Sequence, residues 1–443
     1  MPLAGSPLLE YTLSFLAANG VTRVFVVASS HPETVEAWLE ASTWHLVDIP
    51  LDGDEGAAAG DTTPSPVVHL LASPVVQSAG DALRELDMRG VRRLVSDPFV
   101  LMFGDTVANV DLQAAVDAHT ATRATDPTCA MTLLFKRMHA SHSARPLADS
   151  LALALDDATN QLLQYENSFR KDSVGVPAAL FAAKPNVAFR FDLYDCHVDV
   201  CSTAVLDHCA DNLTFQDLRS SYMQPQLGTS SLSCTFYAHN VEAAYAARVH
   251  CPHTYHRITK DVVNRWTYPM VPDAHLGDTT YRRSERGVYR ELGATIARDA
   301  DIGPGSLIGA ASVVGSTAVV IRSVIGRGCT LGAGCRIVDS AVWDGAVIGD
   351  GVSVQSSIVC NKAVLKPGAT LERGSVVSYG VIVGAGVRVP EFSQLTRFQG
   401  DTATDGDSDT FASEPDAVGS DGVGRSWSAP APSELGAGRP WRV

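Results

Sequence analysis

The sequence predicts an α/β domain followed by a parallel β-helix of hexapeptide repeats, on three observations. From Ile302 to Gly386 an aliphatic residue returns every six residues, with an occasional step of five. Upstream, apolar runs suited to buried strands alternate with segments of helical period. Beyond Gln399 the aliphatics give way to Asp, Ser, Gly, Ala and Pro.

The repeat is the most specific of these signals. Its aliphatic positions run from Ile302, Ile308, Val314 and Val320 through Ile337 and Val354 to Val377 and Ile382, often with Gly next in sequence. Three hexads make one coil of a parallel β-helix, each hexad a short strand with one inward aliphatic, and Gly takes the corner conformations other residues disfavour. The five-residue steps give Ser323-Val324-Ile325, Ser340-Ala341-Val342 and Ser357-Ile358-Val359 a period of 17, one short of three hexads. A regularly shortened corner follows. Stacked units of this kind bury their aliphatics only against each other.

The chain of 443 residues, 45% hydrophobic and 19% charged, is long enough for two domains with linkers. Its net charge of -15 argues against nucleic acid as a direct ligand, because phosphate binding depends on Lys and Arg. Proteins or small molecules are the expected partners. Nine cysteines without a C-x-x-C pair support neither a zinc site nor a disulfide framework, so no metal is expected. The opening residues lack the basic and apolar regions of a secretory signal, and no run reaches membrane-spanning length. The expected compartment is the cytosol.

In chain order, Ser6-Pro7 suits a helix start, with Ser as cap and Pro at the first helical position, and Asn19-Gly20 ends that helix. Val24 to Ala28 is a buried strand and Pro32 opens a second helix. Helix, buried strand and helix in that order indicate a parallel sheet covered on both faces. Asp52 to Pro66 reads as a surface insertion. Phe99 to Phe103 is a further strand running into Gly104-Asp105, which places a carboxylate at the strand end where α/β sheets bind ligands. Asp105 as a plain turn residue is the alternative. Asp192, Asp195, Cys196, His197, Asp199 and Cys201 form the densest cluster of potential ligands; strand alternation puts His197, Asp199 and Cys201 on one face, where they could bind a metal, but no matching His/Cys set occurs elsewhere and a plain mixed strand is the expectation. Arg265-Trp266-Thr267-Tyr268-Pro269 suggests a packed junction between domains. Trp343 is either an interface anchor or a cap on the solenoid core, and Cys329 and Cys335 are small core residues. The boundaries expected are an α/β domain at 1–270, a connector at 271–300, the β-helix at 301–398 and an acidic disordered tail at 399–443.

Several stretches carry a resemblance to a known family. They are Pro2 to Leu13, Gly20 to Val26, Asp97 to Asp105, Asp195-Cys196-His197, Asp211-Asn212, Arg265 to Pro269 and the hexads. Together they resemble the epsilon-subunit family of eukaryotic translation initiation factor 2B. The resemblance implies a Rossmann-like nucleotidyltransferase-type domain, here with an incomplete first strand, followed by a left-handed β-helix. It also implies a cytosolic subunit of the guanine-nucleotide exchange factor for the GTP-binding translation initiation factor 2. The partners would be that factor and the other 2B subunits, with no cofactor, no membrane and no nucleic acid. Exchange itself is attributed in the family to a C-terminal helical domain that is expected to be absent here, so the chain alone is not expected to be an enzyme. An Asn-Phe pair of the family contacts the substrate factor; Asn212 matches its Asn, Leu213 stands at the Phe, and Phe215 lies nearby. Asn212 as a turn or cap residue is the plain alternative.

Pyrophosphorylases of nucleotide sugars share the same layout and give the rival reading, an enzyme with a missing N-terminus. Asp105 would then be a metal ligand completed by Asp192 or Asp199. A Gly-rich phosphate loop with its Arg and Lys is not found in the sequence, which makes Asp105 a vestigial nucleotide-site candidate. A hexapeptide acyltransferase is disfavoured because no His falls between Ile302 and Gly386.

Overall fold

The computed structural model describes residues 1–47, 66–138, 150–167, 173–184, 186–227, 234–242, 244–274, 280–397, 413–414 and 418–427. Pro66 apart, the expected surface insertion lies outside the described residues. The chain divides into two compact units, Leu9–Val249 and Met1–Leu8 with His250–Val443.

The first residues form a hairpin, β1 (Pro2–Leu3) against β2 (Ser6–Pro7), before α1 (Leu8–Ala18). The helix expected to be capped by Ser6 therefore starts later. Ala4 and Gly5 take positive φ, which turns the chain back on itself, and the Leu8 amide donates to the Met1 carbonyl at 2.9 Å.

In the α/β unit, β3 (Arg23–Ala28), α2 (Pro32–Ala41), β4 (His45–Leu46) and β5 (Val67–Ala72) give a parallel sheet of order β3-β5-β4. After it come α3 (Ala79–Met88), β6 (Phe99–Met102), β7 (Thr106–Ala108), α4 (Leu112–Thr125) and β8 (Cys129–Arg137). An antiparallel trio, β9 (Leu151–Asp156), β10 (Leu162–Asn167) and, past α5 (Ala178–Ala183), β11 (Val187–Arg190), leads to β12 (Leu193–Cys201). Helix α6 (Ala204–Asp211), β13 (Thr235–Val241) and β14 (Ala246–Arg248) complete the unit.

The second sheet, of order β13-β8-β12-β6, is mixed where a parallel one was expected. β13 runs parallel to β8, but β12 is antiparallel to both its neighbours. Parallel neighbours need a long crossover, usually helical. Between β8 and β12 the chain instead runs through the separate antiparallel trio β9–β11, and β12 re-enters beside β8 in the opposite direction. Leu71, Leu83, Met131, Leu133, Phe135, Tyr222 and Phe236 lie in one buried cluster under the sheets and α3.

The second unit is a parallel β-helix whose three faces are stacks of two- and three-residue strands. The aliphatic column Val320, Ile337, Val354 and Leu371 is fully buried, as are Ile325, Val342 and Val359 beside it. The inward residue expected at Ile382 is Val383 instead, because Val383 pairs with inward Leu365 while Ile382 is half-buried. The repeat continues through Val389 and Leu395, both buried. Gly has two distinct roles. A Cβ on Gly309, Gly315 or Gly332, each following an aliphatic, would press into the backbone of the next coil, whereas the left-handed corners belong to later glycines such as Gly328, Gly334 and Gly351. The shortened corners place Arg322, Asp339 and Ser356 at positive φ. Behind them a serine ladder replaces the missing residue: the Ser340 amide donates to Ser323 Oγ at 3.0 Å and the Ser357 amide to Ser340 Oγ at 3.2 Å. Truncating a residue of the central column, Ile337→Ala, should cost about 2–4 kcal/mol in denaturant unfolding.

Three further expectations change. Trp266 and Tyr268, expected to be packed, are 56% and 57% exposed. Their turn is held instead by buried Thr267, whose hydroxyl donates to the Met270 carbonyl at 2.7 Å, and by Arg265 paired with Asp273. Trp343 is 5% exposed and belongs to the core side of its two alternatives. Its Nε1 donates to the Tyr255 hydroxyl at 2.7 Å, bringing α7 (Pro252–Val263) against the solenoid. Part of the tail expected to be disordered is ordered: Arg425–Trp427 pairs antiparallel with Gln394–Thr396, and Ser413–Glu414 pairs with it in turn. Val418, buried in the β-helix cluster, ties this segment to the last coil.

Candidate functional site

The residues singled out from the sequence fall in two places within the α/β unit. Asn212, Leu213 and Phe215 share the loop after α6, and Asp105 lies in the turn between β6 and β7.

The loop is built from a helix end. The last carbonyls of a helix have no intrahelical donors and need partners from elsewhere. Arg84, buried on α3, supplies them: its Nη1 donates to the carbonyls of Cys209, Asn212 and Phe215 at 3.2, 3.1 and 3.2 Å. Its Nη2 bonds Asp81 at 2.5 Å, and that hydrogen bond holds the Asp81 carboxyl below the usual range. Gly80, one turn earlier, lets α3 approach: its amide donates to the Gln216 carbonyl at 2.8 Å, and any Cβ there would overlap the Phe215 carbonyl. Phe215 is half-buried with its ring edge-on to Tyr222, centroids 5.2 Å apart. Asn212 and Leu213 are exposed, Leu213 at 75%, and Asn212 Nδ2 donates back to the His208 carbonyl of α6 at 3.3 Å, the capping contact that was its plain alternative.

The other end of the loop is held by an ion network. Asp217 caps the short π-helix Leu218–Met223, accepting from the amides of Arg219 and Ser220. Arg219 then reaches inward to two buried carboxylates on β12. Its Nε bonds Asp195 at 2.7 Å, and its two Nη atoms bond Asp199 at 2.8 Å each. Asp195 also accepts from the Tyr165 hydroxyl at 3.0 Å and the His197 amide at 2.8 Å. Burial works against its charge, but Arg219 and these donors outweigh it, so Asp195 stays well below the usual carboxylate range. Asp199, with fewer donors, is pushed up by burial. The simple alternation expected on β12 is broken by a bulge between Asp195 and Asp199, with His197 at φ 52°. The crowded acids of this strand are thus spent inside the protein, on Arg219. The strand's two thiols, Cys196 and Cys201, are fully buried.

Asp105 is likewise occupied. Both its carboxylate oxygens accept from Arg248 Nε on β14, at 2.7 and 2.9 Å, and the guanidinium lies 4.1 Å from the centre of the Phe103 ring. Asp192, one proposed partner of Asp105 in metal binding, is paired with Arg190 at 2.8 and 2.9 Å, and the other, Asp199, with Arg219. The three carboxylates of the pyrophosphorylase reading are each paired with an arginine, Asp199 sharing Arg219 with Asp195.

Sequence reasoning missed Arg84, Gly80 and Arg219. A signal for the first two existed: Gly80, Leu83 and Arg84 are all on the buried side of α3, where a lone arginine among apolar residues marks a specific partner. Nothing local marks Arg219, whose partners lie 20 and 24 residues away.

An α/β unit joined in one chain to a hexapeptide β-helix, with an exposed loop braced from behind, places the protein among hexapeptide-repeat proteins that carry an α/β domain ahead of the solenoid. Residues 285–389 match the family model of the EIF2B subunit epsilon LbH domain, so the solenoid is a left-handed β-helix. The chain is 33% identical over 302 residues to translation initiation factor eIF2B subunit epsilon of Dictyostelium discoideum, covering 68% of this chain and 40% of that protein. It is 32% identical over 303 residues to the protein of the same name from Schizosaccharomyces pombe, covering 68% of this chain and 42% of that one. The resemblance to the epsilon subunit therefore stands, and the chain spans about two fifths of the length of these relatives.

Proposed function

We propose that this chain serves in a guanine-nucleotide exchange factor for the GTP-binding translation initiation factor 2, as a scaffolding, regulatory and substrate-contacting part. The similarity to proteins named as eIF2B epsilon over some 300 residues, reaching into both units, carries this reading. Its place of work is the cytosol, in keeping with described residues that include no helix long and apolar enough to cross a membrane. The Asn212–Phe215 loop meets the substrate factor, with Asn212 and Leu213 outermost and Phe215 behind them. Other 2B subunits are the standing partners. The chemistry required is non-covalent: contacts made to the nucleotide-poor form of the GTPase favour departure of GDP and entry of GTP. This stretch contributes assembly and contact to that process rather than bond-making. The rival pyrophosphorylase gains no support from Asp105, since its carboxylate is already bridged by Arg248.

The test is recovery of the tagged full-length protein from the cytosol of its own cells at moderate salt, with its companions identified by mass spectrometry. Other 2B subunits and the GTP-binding factor should come with it. Leu213→Asp should release the GTP-binding factor, weakening its binding roughly tenfold or more, while the subunits stay. Recovery of the protein alone, or carrying a nucleotide sugar, would overturn the proposal.

A further inference from the structure

The geometry points to Arg84 as a positioning residue: from behind the loop, with Gly80, it sets the backbone that displays Asn212 and Leu213 to the GTP-binding factor. This rests on the proposed role of the loop and goes beyond it, since neither Arg84 nor Gly80 faces a partner. The argument is one of degrees of freedom. A connection between a helix end and a short π-helix, exposed at residues 211 to 214, is held from within by local bonds alone reaching no further than α6: Asn212 Nδ2 to the His208 carbonyl at 3.3 Å, the Phe215 amide to the Asn212 carbonyl at 3.3 Å and the Gln216 amide to the Thr214 carbonyl at 3.0 Å. Here one buried guanidinium binds three carbonyls spread from Cys209 to Phe215, which spans the display residues on both sides. Two of those carbonyls, Cys209 in the last turn and Asn212 at the cap, belong to the end of α6, so the same bonds fix the direction in which the chain leaves that helix. Charged donors to carbonyls are stronger than neutral ones, and the planar fork of Arg engages Asp81 at the same time. Gly80 sets the distance: its amide holds the Gln216 carbonyl, and its missing side chain is the space that the Phe215 carbonyl fills. At the far end Asp217 and Arg219 close the bracket through Asp195 and Asp199. The loop is therefore exposed and fixed at once, the state in which a contact residue loses least freedom on binding.

The experiment compares Arg84→Ala, Arg84→Lys, Gly80→Ala and Leu213→Asp in the full-length protein assembled with its co-purifying subunits. Dissociation from the GDP-bound GTP-binding factor is followed beside thermal unfolding and amide exchange over residues 212–216. Arg84→Ala should speed dissociation at least fivefold and raise amide exchange in the loop. Arg84→Lys should recover part of the loss, because an ammonium can meet some of the carbonyls but not Asp81 as well. Gly80→Ala keeps Arg84 and displaces the Phe215 carbonyl, so it should speed dissociation while subunit assembly is retained. It decides the matter if Arg84→Ala fails to fold. Wild-type dissociation rates for an assembled Gly80→Ala or Arg84→Ala, with Leu213→Asp still impaired, would overturn the positioning role and leave the loop's function intact. A wild-type rate for Leu213→Asp would overturn both.

Discussion

Replacing Arg219 with methionine should destabilise the α/β unit by about 3–5 kcal/mol, measured by urea unfolding at neutral pH. The substitution keeps the volume of the side chain and removes its charge, leaving Asp195 and Asp199 buried together without a counter-ion. Removing one acid has a graded effect. Asp195→Asn should be the more damaging, because the new amide group would face the Tyr165 hydroxyl and the His197 amide, which both donate to this position. Asp199→Asn should be the milder, since it removes the charge that burial already disfavours and keeps an acceptor for Arg219. The two acids also act oppositely with pH. Asp195 has a lowered pKa in the fold, so its stabilisation is present at neutral pH and is lost as pH falls below about 4. Asp199 has a raised one, so its contribution is fullest in acid and is lost as pH rises through its folded value. Asp199→Asn should therefore make the protein lose more stability on acidification than the parent does.

Trp343→Ala should cost the second unit about 3–5 kcal/mol. The indole is packed between Tyr255 and Tyr379, ring centroids 5.8 Å from each, so truncation opens a cavity bordered by two aromatic rings. It also strands the Tyr255 hydroxyl, which burial already drives towards the neutral form. Trp343→Phe keeps most of the packing and loses only the hydrogen bond, and should cost about 1–2 kcal/mol. Thermal unfolding followed by tyrosine absorbance separates the two. Equal stability of Trp343→Ala and the parent would show that α7 is held on the solenoid elsewhere, with the Lys260–Asp339 pair at 2.8 Å the next contact to remove.

The solenoid was legible because its signal is periodic and local: each inward aliphatic sits six residues from the last, and a stack makes no other demand. The error at Ile382 shows the limit. After Val359 the coils return to a full 18 residues, Val359 pairing with Val377 and Val377 with Leu395, so the five-residue step carried one place too far. The α/β unit was legible as strands and helices but not as a sheet, since the direction of β12 depends on how the chain returns to β8 from the β9–β11 trio rather than on its composition. Position in sequence grouped Asn212, Leu213 and Phe215, and the structure keeps them in one loop. It did not reveal that Phe215 turns inward, nor that Asp195 and Asp199 answer to an arginine on a π-helix. Trp266 and Tyr268 invert the usual rule for large aromatics because small, buried Thr267 anchors their turn.

The antiparallel strand Arg425–Trp427 has a consequence for the size of the solenoid. A stack of identical parallel coils contains no instruction to stop, because its last coil offers the same unpaired edge that every earlier coil offered to its successor. A strand of opposite direction on Gln394–Thr396, with Val423 bridging Ile382 on the neighbouring face, covers two of the three faces with a partner that no further coil can imitate. The acidic segment thus acts as a stop placed across two faces of a repeat that carries none in its own sequence.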